Sequence, residues 1–407
     1  MPLDRPPRKR HATPAEQTPA PRSSARRVRR FALRAWPLLA ALHGYIGWRL
    51  LPALPHAAFG VGLVWLVASL LLIPAGLFSR LRPGRASDRM AWAGYFALGL
   101  FSSTLVLTLL RDVVLLLPGT ADWTEASAAL VPALALAASL LGLRNAGRTA
   151  RVVDVQVELP ALPAPLVGFT IVQLSDIHVG PTIKADRVRA IVDRVNTLQA
   201  DLIAITGDVV DGTVAALRAD TAPLAALRAR HGAWLVTGNH EYYAGAADWI
   251  DEFERLGLRC LLNAHAVIVH DDAHLVLAGV TDYAAAAFDP SHRSDPALAL
   301  AGSPDGAPRI LLAHQPASAT DAARAGFDLQ LSGHTHGGQF WPWNLFVRLQ
   351  QPFTAGLHRV GSMQIYTSRG TGYWGPPKRF GAPSEITRIR LLAAPPHPAA
   401  STAPAVA

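Results

Sequence analysis

Between residues 35 and 143 the chain carries four apolar stretches with almost no charge, and no other feature limits its fold as strongly. Residues 35–54 read AWPLLAALHGYIGWRLLPAL, broken only by Arg49. Residues 56–78 and 90–110 hold no acid, Lys or Arg, and residues 125–143 hold only Glu125. A helix of about 20 apolar residues spans a hydrocarbon core about 30 Å thick. A helix buried in a soluble bundle keeps a polar stripe toward water, and these stretches keep none. They predict an all-α transmembrane region over residues 31–144 with about four helices.

Only 16% of the chain is charged, against about a quarter in an average soluble domain. The formal net charge of +9 suggests nucleic-acid binding until its distribution is read. Arg26, Arg27, Arg29, Arg30 and Arg34 precede the first apolar stretch, and Arg80, Arg82, Arg85 and Arg89 separate the second from the third. Arg144, Arg148 and Arg151 follow the fourth, whereas the loop after the third sets Arg111 against Asp112 and Asp122. Arginines on alternate loops follow membrane topology, so no nucleic-acid partner is expected. The same rule places the N-terminus, the middle loop and everything after residue 144 in the cytoplasm, as in a multi-pass protein of a bacterial inner membrane. Arg29-Arg30 before an apolar run is a poor twin-arginine signal, and the spans that follow argue against a cleaved leader. Residues 1–30 and 393–407, rich in Pro, Ala and Ser, are expected to be disordered. Cys260 is the only cysteine, which excludes an intramolecular disulfide and a cysteine metal site; it reads as a small buried hydrophobe.

From residue 151 the texture changes. Short β-rich runs appear at 169–175, 201–207, 233–238, 275–280, 309–314, 328–333 and 364–368, and RVVDVQVEL opens the region at Arg151. Between them, Val188, Ile191, Val192, Val195 and Leu198 recur at helical spacing over 186–200. Alternating elements predict an α/β domain over residues 151–392.

Five polar clusters follow these runs directly. They are Asp176-Ile177-His178; Gly207-Asp208 with Asp211-Gly212; Gly238-Asn239-His240-Glu241; His314; and Gly333-His334-Thr335-His336-Gly337-Gly338. Ligands of open α/β sheets gather outside the carboxyl ends of strands, so residues at such ends can share a site. The clusters supply carboxylates, an Asn carbonyl and imidazoles but no thiol, which suits Mn, Fe or Zn rather than a calcium cage. Singly, Asp176 can end a strand and Gly207-Asp208 can make a turn. Five in order, each at a strand end, have no common structural cause.

The motifs DIH, GDVVDG, GNHE, AHQP and GHTHGGQ resemble those of the calcineurin-like metallophosphoesterase superfamily, nearest to its bacterial membrane-associated YkuE/YaeI-like branch. The likeness covers roughly residues 150–392, with Ser384-Glu385 a small departure from the branch's Pro-Pro-Glu. It implies a four-layer sandwich of two β-sheets flanked by helices, with two divalent metal ions at one edge. It implies that Asp176, His178 and His336 bind one ion, that Asn239, His314 and His334 bind the other, and that Asp208 bridges them. His240 resembles the non-ligand histidine beside the scissile phosphate, a catalytic group for the leaving oxygen. Asp211 and Glu241 read either as groups orienting the ligands or as helix caps. The reaction implied is hydrolysis of a phosphodiester or pyrophosphate, in a lipid-linked substrate such as a UDP-diacylglucosamine-type lipid. A soluble phosphodiester substrate, or a metal-held binding module without catalysis, are the other readings. Arg369 and Arg379 read as substrate contacts or as structural pairs. The run from Phe340 to Phe346, rich in Trp and Phe, begins four residues after His336; it reads as core or as a hydrophobic lip at the membrane.

Overall fold

The computed structural model describes residues 22–79 and 84–394, with side chains from residue 35 onward. The expected tails fall largely outside those residues, as do Arg80 and Arg82. The N-terminal region consists of α1 (Arg22–Leu50), α2 (His56–Ser79), α3 (Arg85–Val114) and α4 (Thr124–Gly147). Among the described residues three helices are long and apolar enough to cross a membrane: α2, α3, and the segment Ala121–Gly147 that contains α4. The fourth, α1, packs against all of them.

Two devices hold this region together. At Gly94 of α3, a Cβ would lie 2.6 Å from Leu72 O of α2, so only a bare glycine lets the two backbones approach this closely. Polar pairs lock α1 in place: His43 shares a 2.8 Å hydrogen bond with Ser69 of α2, and Arg49 Nε donates to Asp112 Oδ2 of α3 at 2.8 Å. The residue that interrupted the first apolar stretch is therefore satisfied by an acid at the end of the third.

The α/β region begins only four residues beyond α4. Its strands are β1 (Arg151–Leu159), β2 (Thr170–Leu174), β3 (Leu202–Ile205), β4 (Ala233–Leu235), β5 (Arg259–Cys260), β6 (Ala264–His270), β7 (Ala273–Gly279), β8 (Arg309–Leu312), β9 (Leu329–Ser332), β10 (Gly356–Val360), β11 (Met363–Thr367) and β12 (Glu385–Ala393). They form two six-stranded sheets, β1-β12-β2-β3-β4-β5 and β10-β11-β9-β8-β7-β6. In the first, β2, β3, β4 and β5 run parallel; in the second, β7, β8, β9 and β11 do.

The period of two along each strand builds the layers. Ile171, Leu202 and Ala204 of the first sheet meet Leu277, Ile310, Leu312, Leu329 and Leu331 of the second in a core between the sheets. Their neighbours Val172, Leu174, Ile203 and Ile205 face outward and pack on α5 (Ala185–Asn196) through Val188, Ile191, Val192 and Val195. Ala278, Leu311 and Ile365 form the corresponding outer layer on the second sheet. This is the expected four-layer sandwich after an all-α region. Every β-rich run read in the sequence contains a strand. Four strands lie outside those runs: the edge strands β5, β6 and β10, whose half-exposed faces lack a continuous apolar run, and the interior strand β12, whose Ile386, Ile389 and Leu391 are interleaved with Thr387, Arg388 and Arg390. Cys260 is only partly buried, against the outer core of the first sheet.

The two regions are packed together rather than strung out. Ala146 and Ala150 belong to the outer core of the first sheet. The Arg187 guanidinium of α5 donates to the carbonyls of Ala146, Gly147 and Arg148, capping the C-terminal end of α4 with positive charge. Lys184 pairs with Asp88 of α3 at 3.0 Å.

Candidate metal centre

The carboxyl ends of five strands meet at one edge of the sandwich: β2, β3 and β4 from the first sheet, β8 and β9 from the second. The turns that follow are stitched across strands and across sheets. Asp176 N donates to Gly207 O at 3.0 Å and His178 N to Asp208 O at 3.1 Å. His334 N donates to the Asp176 carboxylate at 3.0 Å, and His314 Nδ1 pairs with Thr206 O at 2.7 Å. At Gly333 a Cβ would stand 1.9 Å from Ser175 Oγ, so the sheets close on each other only with glycine there. Asp176, His178, Asp208, His334 and His336 all have positive φ, between 52° and 69°. For residues with side chains this backbone is costly and persists only where the surroundings over-determine it, as at functional sites.

These turns bring the predicted residues together in two groups. In one, single donor atoms of Asp176, His178 and His336 lie within 4.8 Å of one another; in the second, those of Asp208, His314 and His334 do; a third such set, His178, Asp208 and His240, overlaps both. His178 Nε2 and His336 Nε2 are 3.0 Å apart, and His334 Nδ1 and His314 Nε2 are 3.2 Å apart. Asp208 Oδ2 lies between the groups, 3.1 Å from His314 Nε2 and 3.9 Å from His178 Nε2. Asn239 is buried beside them, and its Oδ1 has no hydrogen-bond partner. Buried imidazole nitrogens facing each other, two buried carboxylates and an orphaned carbonyl oxygen are unfavourable on their own. Divalent cations would satisfy all of them, so the donor set fits such ions. Burial, reinforced by the nearby His314 charge, pulls His334 down to about 3, so its ring is neutral and its lone pair available.

Around these residues sits a layer that orients them. Asp211 Oδ1 is 2.9 Å from His178 Nδ1 and 2.6 Å from His240 Nδ1, which turns the Nε2 of both rings inward. The Glu241 carboxylate accepts N–H bonds from Asp208 (3.0 Å), Val209 (2.8 Å), Val210 (3.2 Å) and Gly238 (2.7 Å). It thereby ties the Asp208 turn to the Asn239 turn. Of the two readings left open, the contacts to His178 and His240 match the orienting one for Asp211. Glu241 serves both roles, because Gly238 N opens α7 (Asn239–Ala244). Nothing in the sequence marked four N–H groups converging on Glu241.

His240 adjoins both groups, with Nε2 3.9 Å from Asp208 Oδ2. Burial alone would lower its pKa, but the carboxylates of Asp208 and Asp211 outweigh burial and lift it to about 9. Its ring is flanked by Tyr243 at 5.1 Å and by Trp374 at 5.7 Å. His231 and His270 pair with each other at 3.0 Å beside Phe169, away from this centre. Arg369 pairs with Glu385 at 2.8 Å, and Arg379 is fully buried.

The aromatic run divides at Phe340, which is buried at 7% exposure, whereas Trp341, Trp343 and Phe346 are 37%, 45% and 50% exposed. The core reading therefore holds only for Phe340. Leu345 and Leu349 extend the same exposed surface. It abuts the membrane helices, since Trp343 Nε1 donates to Ser102 Oγ of α3 at 3.0 Å.

Residues 169–338 match the family model described as calcineurin-like phosphoesterase. A Danio rerio relative named "Transmembrane protein with metallophosphoesterase domain" is 40% identical over 62% of this chain and 60% of its own length. The chain thus spans about three-fifths of that relative. An uncharacterized metallophosphoesterase of Aquifex aeolicus is 32% identical over 59% of this chain and 91% of that protein. The uncharacterized metallophosphoesterase YkuE of Bacillus subtilis is 30% identical over 56% of this chain and 81% of that protein.

Proposed function

The chain belongs to the calcineurin-like metallophosphoesterase superfamily, and on that premise we propose that it is a membrane-anchored, two-metal hydrolase of a phosphodiester or pyrophosphate bond in a lipid-linked substrate. Asp176, His178 and His336 would hold one ion and Asn239, His314 and His334 the other, with Asp208 shared. The oxygen and nitrogen donors suit Mn, Fe or Zn. Such ions supply Lewis-acid stabilisation of phosphoryl charge and acidify the attacking water. The chain's own contribution is a proton. His240, held by Asp211, would deliver it from Nε2 to the leaving oxygen. Tyr243 and Trp374 wall the space in front of that ring.

The lipid part of the proposal is carried by one observation. The loop that leaves His336 runs straight into an exposed aromatic surface resting on α3. A substrate phosphate at the metal centre would have acyl chains beside Trp341, Trp343 and Phe346. Trp341→Ser/Trp343→Ser/Phe346→Ser should therefore raise the KM for a lipid phosphodiester in mixed micelles by about tenfold or more, as losing one aromatic contact costs at least about 1.5 kcal/mol. Turnover of a small soluble aryl phosphodiester should stay near the wild-type value, because these side chains are not core. Unchanged kinetics on both substrates would favour soluble phosphodiesters instead. A parallel fall in both would discard the lip.

The arginine pattern further supports an inner-membrane protein with its catalytic region in the cytoplasm. A reporter that works only outside the cytoplasm should be silent after residue 392 and active between α3 and α4. The reverse pattern would move the catalytic region to the other side.

A further inference from the structure

Two consecutive residues on the segment after Trp374 face in opposite directions. Lys378 leaves the α/β region and enters the crevice between α3 and α4. There its ammonium donates to Gly99 O at 3.1 Å, Ser103 Oγ at 2.5 Å and Ser139 Oγ at 2.9 Å. A lysine ammonium has three donors, and all three are spent on the helices. The Phe340 ring lies 5.1 Å from Nζ, and the residue is 3% exposed. A charge set among apolar helices persists only when it is paired in this way, and such charges mark functional positions.

Arg379 points the other way, into the candidate metal centre. Its guanidinium donates to His336 O at 2.8 Å and to Arg369 O at 2.7 Å, and its Nη2 is 3.0 Å from His336 Nδ1. An Arg379 N–H at that nitrogen would make Nδ1 the acceptor and leave the neutral ring's proton on Nε2, so the contact that can serve a metal-binding His336 is the one to its main-chain carbonyl. The Arg379 main chain is itself gripped by α4: its N donates to Gly142 O at 3.0 Å, and Asn145 Nδ2 donates to its O at 3.1 Å. His336 has a φ of 52°, a backbone state that its surroundings must enforce. Arg379 shares that task with Gln339 N, which donates to the same His336 carbonyl at 3.0 Å; the Arg379 guanidinium is fixed by the carbonyls of Gly372 and Ala382, and its main chain by α4.

We infer that Lys378 and Arg379 form a tie through which α3 and α4 position His336, so that one side of the metal centre is complete only when the two membrane helices are correctly paired. Both are positioning residues, since neither reaches the space between the candidate ligands. The inference rests on the metal reading above, and it adds that the membrane region is part of the site rather than only its anchor.

The test uses the full chain in nanodiscs, stripped of metal and titrated with Mn(II). Binding is followed by electron paramagnetic resonance, which separates a spin-coupled pair from isolated ions, with thermal midpoint and turnover of an aryl phosphodiester measured in parallel. Lys378→Met keeps the length and apolar contact of the side chain but removes its three donors. It should weaken Mn(II) at the site containing His336, and with it the spin-coupled pair, by roughly tenfold or more, as loss of an outer-layer partner does, with KM unchanged and turnover restored by excess Mn(II). Ser103→Ala/Ser139→Ala should shift the titration in the same direction by less, and it decides the matter alone if Lys378→Met does not fold. Asp88→Asn breaks the separate contact between Lys184 and α3 and should leave the titration unchanged. Wild-type titrations in both tie variants would overturn the inference, and so would an equal loss in Asp88→Asn, which would indicate general loosening of the helices. A wild-type chain that binds none of Mn(II), Fe(II) and Zn(II) by elemental analysis would overturn the metal reading itself, and the tie with it.

Discussion

Asp208→Asn should leave a folded protein that has lost its phosphodiesterase activity by more than about 10³-fold and retains at most one metal ion per chain. The substitution keeps shape: an amide oxygen can still accept the His240 N–H that now reaches Asp208 Oδ1 at 2.9 Å. What it removes is charge. Asp208 Oδ2 lies 3.1 Å from His314 Nε2 and 3.9 Å from both His178 and His240, between the two candidate groups. A carboxylate there would neutralise both ions, whereas any terminal ligand serves one. Changing a terminal ligand such as His334 should therefore lower metal content less. Elemental analysis of purified protein, alongside turnover, measures both. Two ions per chain in Asp208→Asn would sink the shared-ligand assignment.

His240→Ala should show the opposite combination, with both ions retained and turnover reduced by roughly 10²–10⁴-fold. Proton delivery matters most when the leaving oxygen is strongly basic. The loss should shrink for a nitrophenol leaving group and grow for an alkyl one. The sign of the pH dependence follows from the shift to about 9. A group acting as an acid is competent below its pKa, so wild-type turnover of alkyl esters should fall as the pH rises through it. Bound cations would draw that pKa down, so the limb should lie below pH 9 and be missing in His240→Ala. Equal losses for good and poor leaving groups would remove His240 from the acid role while leaving the metal assignment intact.

The sequence alone determined much of this molecule, because several of its features are local. Apolar length and missing charge define α2, α3 and α4 without any tertiary information. Short β-rich runs mark β2, β3, β8 and β9, and the polar clusters at their ends are contiguous in the chain. The candidate site was legible for that reason: Asp176 and His178, Asn239 and His240, and His334 and His336 are each near neighbours in sequence. Tertiary structure decided whatever depends on residues far apart meeting at short range. Glu241 gathers the N–H groups of Asp208, Val209 and Val210 some thirty residues upstream, and no local pattern requires it to do so. The aromatic run carries the same hydrophobicity whether buried or exposed; only the position of α3 places Trp343 at Ser102 and leaves Phe346 in the open. Arg379 read as a substrate contact or a structural pair, and nothing in the sequence singled out Lys378. Their opposite directions, one toward Ser103 and Ser139 and the other toward His336, exist because the α/β region is pressed against the helices. Side-chain direction in a loop is set by packing rather than by periodicity, and so the link between membrane and active site was invisible until the two regions were assembled.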